Sequence, residues 1–143
     1  MTNFLSICSS LEHDGDELVR FQVGASSKDF SGCTLAWGYA SQLTELAACL
    51  AGFPKAGSVP VAFQFGSAKT GVAKLEFVTL DGVGHCGVWV TLEAPYPVSR
   101  SQGMEQATIF LSVEPAAIDL FASALDKFSS GGTHEALLHG IAP

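Results

Sequence analysis

The sequence has few charged residues and no long apolar segment. Of its 143 residues, 15% are charged and 48% are hydrophobic, whereas about 25% charged residues are usual in globular domains. Its apolar runs are only a few residues long, against the ~20 residues that span a bilayer. The start MTNFLSICSS lacks the basic segment of a signal peptide. We therefore expect a soluble, cytoplasmic protein with a large buried fraction.

Basic residues are scarce as well. Seven Lys and Arg against fourteen Asp and Glu give a net charge of -7. Such a charge repels the phosphates of nucleic acids and the surfaces of anionic lipids. It suits a basic protein partner, because complementary potentials speed encounter. We therefore expect neither a nucleic-acid nor a membrane partner.

Closely spaced cysteines are missing. Cys8, Cys33, Cys49 and Cys86 stand singly along the chain. Zinc sites and redox-active cysteine pairs typically have short spacings such as CxxC. A chain of this length can build a core without disulfides. We predict free, buried thiols and a reducing compartment.

Alternation of apolar and polar residues, the period of a half-buried strand, dominates the sequence. It predicts strands over residues 4–11, 18–25, 33–39, 61–65, 72–80, 85–94 and 106–113. The turn Asp81–Gly84 joins two of them as a tight hairpin. The core face of the second of these two strands is predicted to be Cys86, Val88, Val90 and Leu92.

Two helices are predicted from the helical period. Ser41 can cap the first helix, and Gly52 and Pro54 end it. The apolar stripe of this helix is Leu43, Leu46, Ala47 and Leu50. Pro115 suits the first position of the second helix. The stripe of the second helix is Ile118, Phe121, Ala122, Leu125 and Phe128.

The order of these elements predicts the fold class. Hairpin connections, rather than regular strand-helix alternation, favour antiparallel pairing. We therefore expect an α+β fold, a two-layer sandwich of one mostly antiparallel sheet with two helices packed on one face. The chain fits a single domain over residues 1–143. Its tail, residues 131–143, is expected to add a short helix or to be loose.

The motifs that resemble chemical sites fail on spacing. The tail places His134 and His139 five residues apart, whereas the HExxH zinc motif needs a spacing of four. On an ideal helix these two rings would lie about 140° apart. His85 and Cys86 are neighbours on a strand and so point to opposite faces. We predict no catalytic residue, no metal ligand and no cofactor.

Aromatic residues on a polar sheet face are the best candidates for a binding surface. Trp89 and Phe110 fall on the non-core face of their strands, and His85 has the same parity as Trp89. Other polar residues expected on this face are Arg20, Gln22, Gln64, Lys74 and Glu76. Binding surfaces are often built in this way. The predicted partner-binding residues are Trp89, Phe110, His85, Arg20 and Glu76. Alternatively, a strand pair, a loop or a second subunit covers the face.

Three segments resemble the WapI-type and related immunity-protein domains of bacteria, the partners of polymorphic toxins. They are the helix Ser41-Gln42-Leu43-Thr44-Glu45-Leu46 closing at Gly52-Phe53-Pro54, the hairpin Leu80-Asp81-Gly82-Val83-Gly84-His85, and the strand-helix unit 108–128. The resemblance covers roughly residues 17–128. It implies a two-layer α+β fold and a protein that binds and neutralises a toxin domain.

Three hypotheses about function follow. The first is a non-enzymatic protein-binding domain, an immunity-type inhibitor whose acidic surface and sheet aromatics occlude a basic partner. The second is a small-molecule-binding protein or modest enzyme with a pocket between sheet and helices, using His85 or a free cysteine; a buried cavity lined by polar groups would favour it. The third is a homodimer whose exposed sheet face is its own interface.

Overall fold

Eight strands form two antiparallel sheets in the part of the chain that the computed structural model describes, residues 3–13, 18–54, 59–67, 70–94, 105–130 and 135–141. The strands are β1 (Phe4–His13), β2 (Leu18–Ser26), β3 (Ser31–Tyr39), β4 (Val61–Ser67), β5 (Gly71–Thr79), β6 (Cys86–Ala94), β7 (Glu105–Val113) and β8 (Glu135–His139). The first sheet has the order β3-β2-β1-β8, and the second has the order β4-β5-β6-β7. Neighbouring strands are antiparallel throughout.

Two helices interrupt the strands. Helix α1 (Ala40–Leu50) follows β3, and helix α2 (Pro115–Asp126) follows β7 and runs into a 3-10 turn, Lys127–Ser130. The two helices pack on each other, and α2 packs on β8. None of the helices within the described ranges is long and apolar enough to cross a membrane.

Both helices form where their apolar stripes predict. The stripe of α1 is buried, as are Ile118, Phe121 and Leu125 of α2, and Pro115 occupies the first turn of α2. The prediction that Ser41 caps α1 is wrong. The helix begins at Ala40, and the Tyr39 N–H donates to the Gln42 side-chain oxygen at 2.8 Å. Gln42 therefore pairs with the backbone at this helix start, where donors lack intrahelical partners.

One core joins both sheets and both helices. The rings of Phe21 in β2 and Phe65 in β4 lie 5.9 Å apart, centroid to centroid, which links the inner faces of the two sheets. Phe128 packs edge-on against Phe21, and Phe121 of α2 lies 6.4 Å from Phe77 of β5. Burial of these apolar side chains is the main force that holds the layers together.

The α+β class and the antiparallel pairing are confirmed, but the single sheet with both helices on one face is wrong. The chain builds two sheets: the four consecutive strands after α1, β4 to β7, pair only with each other, while β1, β2 and β3 pair among themselves and with β8. The prediction for the tail is also wrong over residues 135–139. These residues form β8, which pairs with β1 and points Ala136 and Leu138 into the core.

Besides the core contacts, hydrogen bonds join the two sheets at two places in the described part of the chain. At the first, the Thr34 hydroxyl in β3 donates to the Glu93 carbonyl oxygen in β6 at 3.0 Å. Gly71 has a positive φ of 120°, and a Cβ there would collide with the Leu35 carbonyl oxygen, so glycine permits the close approach of β3. At the second, the N–H that follows β8 at Ile141 donates to the Ser112 carbonyl oxygen of β7 at 2.7 Å.

The four cysteines are free, as predicted, but their burial differs. Cys86 is buried and Cys8 is half-buried, whereas Cys33 and Cys49 are exposed. The prediction of buried thiols is therefore wrong for Cys33 and Cys49. Cys33 lies on the outer face of its edge strand, and Cys49 lies outside the buried stripe of α1.

Replacement of Phe121 by alanine tests the shared core. Phe121 is fully buried against Phe77, so Phe121→Ala should lower the free energy of unfolding by about 3–5 kcal/mol. Urea unfolding followed by circular dichroism measures the change. Leu120→Ala is the control, because Leu120 is 73% exposed on the same helix; its effect should stay within about 0.5 kcal/mol. Equal losses in the two variants would contradict the assignment of the buried face of α2.

Candidate functional site

The outer face of the second sheet carries the aromatic residues that the sequence singles out. Successive side chains on a strand point to opposite faces. Because Phe77, Val88 and Val90 point into the core, their neighbours Glu76 and Trp89 point outward. The register pairs Glu76 with Trp89 across β5 and β6, and Trp89 with Phe110 across β6 and β7. Three predicted binding residues thus lie in one row across the sheet.

Trp89 and Phe110 form an aromatic pair on this face. Their ring centroids lie 4.7 Å apart with an interplanar angle of 52°. Trp89 remains 45% exposed. Gly87 makes room for the pair, because a Cβ at this position would overlap the Phe110 ring and lie 2.9 Å from the Leu111 carbonyl oxygen. Phe110 therefore lies over the glycine and packs beside Trp89.

A shallow groove of about 360 Å³ adjoins Trp89. It is lined by Ala62, Phe63, Gln64, Lys74, Leu75, Glu76, Trp89 and Thr91. At its margin the Lys74 ammonium group pairs with the Glu93 carboxylate at 3.1 Å. The Glu76 side chain is exposed. The groove combines an aromatic wall with an amide, a carboxylate and the ammonium group of Lys74, and it lies on the outside of the sheet rather than between sheet and helices.

Arg20 and Gln22 do not share this face, which corrects their predicted placement. Both lie on β2 and so belong to the first sheet. The Arg20 guanidinium carbon lies 5.9 Å from the centroid of the Trp37 ring, in a cation-π arrangement with its cross-strand partner. The alternation in β2 correctly places both side chains on the face turned away from the core. Alternation within one strand does not show which of the two sheets that strand joins.

The outer face of the first sheet has a concavity of its own, of about 550 Å³. Cys8 and Cys33 are among its lining residues. The Cys8 thiol donates to the Glu135 carboxylate, with Sγ and Oε2 3.4 Å apart. Burial raises the pKa of this thiol, and the neighbouring Glu135 carboxylate raises it further. At neutral pH Cys8 is therefore a thiol and a weak nucleophile.

His85 belongs to the β5–β6 hairpin rather than to the groove. Its Nδ1 lies 2.5 Å from one carboxylate oxygen of Asp81. The other oxygen of Asp81 accepts the backbone N–H groups of Val83 at 2.9 Å and of His85 at 3.2 Å. The side-chain hydrogen bond from His85, followed by the Val83 N–H, lowers the pKa of the Asp81 carboxyl group. The pair stabilises the turn geometry.

The sequence-based prediction missed some of the groove. Ala62 and Thr91 line it, and Glu93 pairs with Lys74 at its margin. The alternation of apolar and polar residues in β4 and β6 indicates that these side chains point outward. Which residues stand opposite each other depends on the hairpin register, which alternation does not specify.

Comparison of the chain with protein-family models, with curated proteins and with solved structures finds no match. Within the ranges that the structure describes, no three His, Cys, Asp or Glu side chains group as metal ligands. The candidate site is therefore defined by its geometry: the aromatic pair and the adjoining groove.

Replacement of Gly87 by alanine tests the packing beneath the aromatic pair. The added methyl group collides with the Phe110 ring, so Gly87→Ala should lower the free energy of unfolding by about 1–3 kcal/mol and separate Phe110 from Trp89. Urea unfolding and nuclear Overhauser contacts between the two rings measure these effects. Gly82→Ala is the control, because a Cβ at Gly82 meets open space. An intact ring contact in Gly87→Ala would contradict the assigned geometry.

Removal of the His85 side chain tests the hairpin pair. His85→Ala should raise the pKa of Asp81 toward its ordinary value, because the largest cause of its lowering is lost. The Asp81 pKa is lower in the folded protein than in the unfolded chain, so its ionised carboxylate stabilises the folded state. This stabilisation is fully present at a pH above the pKa of the unfolded chain, and it is lost as the pH falls through the pKa of the folded protein. Carbon-13 NMR titration of the Asp81 carboxyl group measures the shift. His139→Ala, on β8, should leave the Asp81 midpoint unchanged; an unchanged midpoint in His85→Ala would rule out the pair.

Proposed function

We propose that this protein is a non-enzymatic protein-binding domain that acts as an immunity-type inhibitor of a basic toxin domain. The observation that carries this proposal is the aromatic pair on the outer face of the second sheet, in which Trp89 is exposed and Phe110 is half-buried. Trp89 and Phe110 stand in a row with the acidic Glu76, and Lys74 and Gln64 lie beside them. Two adjacent aromatic rings rimmed by polar side chains form the kind of contiguous apolar surface that is typical of interaction sites.

The composition of this face supports a protein as the partner. Aromatic side chains are enriched in the cores of protein interfaces, where they bury a large area at a small cost in conformational entropy. The Trp89 ring is held from the side by Phe110, so little of its freedom remains to be lost on binding. Polar groups around the aromatic pair, such as the hydroxyl groups of Thr91 and Thr108, suit the rim of an interface.

The charge of the chain supports a basic partner. A net charge of -7 steers a positively charged protein toward this domain and repels nucleic acids. Inhibition would then follow from occlusion, because the bound domain covers the functional surface of its partner. The resemblance to WapI-type immunity domains supports a bacterial toxin as that partner. The four free thiols support a reducing cytoplasm as the compartment.

Two other functions have specific support. The groove beside Trp89 has about 360 Å³, within the range of about 300–1,000 Å³ typical of small-molecule sites, which favours a small-molecule ligand. The outer face of the first sheet exposes Leu35, Tyr39 and Leu137, which favours a homodimer through that face. A homodimer of this kind leaves the outer face of the second sheet free for a partner.

The capture of a partner by variants on the two faces tests the proposed function. The tagged wild-type protein should retain a basic protein in a one-to-one complex, and high salt should weaken the complex. Trp89→Ala should lower the affinity at least about tenfold, the loss typical of a hot-spot residue. Isothermal titration calorimetry with the purified partner measures it.

Leu35→Ala is the matched control, because it removes an exposed apolar side chain from the other sheet. It should bind as the wild type does. Equal affinity of Trp89→Ala and the wild type would refute binding through this face. Thermal stabilisation by a small molecule, without capture of any protein, would favour the ligand hypothesis instead.

A further inference from the structure

The groove beside Trp89 places an aromatic ring and a carboxylate directly opposite each other. Glu76 of β5 and Trp89 of β6 are cross-strand partners on the outer face, a relation in which Cβ atoms lie about 5 Å apart. Both side chains are exposed and both line the groove. A group bound there can therefore contact the face of the indole ring and the carboxylate oxygens at the same time.

The charges around the groove favour a cation. Lys74 carries the positive charge and is paired with Glu93 at 3.1 Å. The Glu76 carboxylate has neither a hydrogen bond nor an ion pair with any residue in the described part of the chain. The positive charge of Lys74 is therefore balanced by Glu93. One negative charge remains, on the Glu76 carboxylate opposite Trp89.

Arginine fits this arrangement better than lysine does. Its guanidinium group is planar and weakly hydrated, so it stacks on an indole ring while its edge donates paired hydrogen bonds to a carboxylate. The ammonium group of lysine is a strongly hydrated point charge without a flat face. The same chain already contains such a stack, because the Arg20 guanidinium carbon lies 5.9 Å from the centroid of the Trp37 ring.

We propose that the groove receives an arginine side chain of the partner protein, whose guanidinium group stacks on Trp89 and pairs with Glu76. This inference rests on the protein-binding function proposed above. It narrows the partner to a basic protein with an exposed arginine at the centre of its interface. Occupation of the groove by that side chain would cover Trp89 and neutralise the unpaired carboxylate in one contact.

A set of small peptides tests the inference without the partner. The probes are acetyl-Gly-Arg-Gly-amide, its lysine analogue, and its citrulline analogue, which keeps the planar shape but has no charge. NMR titration of the nitrogen-15-labelled protein follows the Trp89 indole N–H and the Glu76 amide. The arginine peptide should shift both signals saturably. The citrulline and lysine peptides should each bind at least about fivefold more weakly.

Two variants locate the contact. Trp89→Ala should abolish saturable binding of the arginine peptide, and Glu76→Gln should weaken it about fivefold while leaving the fold unchanged. Glu105→Gln is the matched control, because it removes the same charge from an exposed residue at the far end of the β6–β7 ladder. It should bind the arginine peptide as the wild type does.

The outcomes separate this inference from the proposed function. Equal binding of the arginine and citrulline peptides, or an unchanged affinity in Glu76→Gln, overturns arginine recognition. If Trp89→Ala still abolishes capture of the protein partner in that case, the binding face stands and only its occupant is wrong. If Trp89→Ala leaves partner capture unchanged, the proposed function fails, whatever the peptides show.

Discussion

The contact between the two sheets through Phe21 and Phe65 is the interaction on which the rest of the structure depends. These rings come from different sheets and lie 5.9 Å apart in a fully buried position. Phe128 closes on the same ring of Phe21, and the helices complete the layer around it. Because the inner faces of both sheets are buried in this shared core, each sheet presents its outer face to solvent.

This division of the sheets determines the character of the candidate site. Adjacent side chains on a strand point to opposite faces of the sheet. Because Phe77 and Val88 are buried in the core, their neighbours Glu76 and Trp89 point to the outer face. The aromatic pair then depends on Gly87, the position over which the Phe110 ring lies. The groove is thus formed by strands rather than by loops. Its surface is preformed, so binding of a partner costs little conformational entropy.

Much of the local structure follows from the sequence. The period-two alternation correctly predicts the buried residues of β6, and the helical period correctly predicts those of α1 and α2. The turn between β5 and β6 also lies where Asp81 and the glycines after it predict it. Even the outward orientation of Trp89 and Phe110 follows, because parity within a strand is a local property of extended backbone.

The sequence by itself determined these elements and which side of each strand is apolar, since both depend on neighbours a few residues away. Only the tertiary structure decided that there are two sheets, that residues 135–139 pair with β1, and that Arg20 lies on a different sheet from Trp89. It also decided that Glu76 stands opposite Trp89. Pairing between strands depends on contacts between distant segments, and alternation repeats identically in every strand, so the local pattern cannot specify which strands become neighbours.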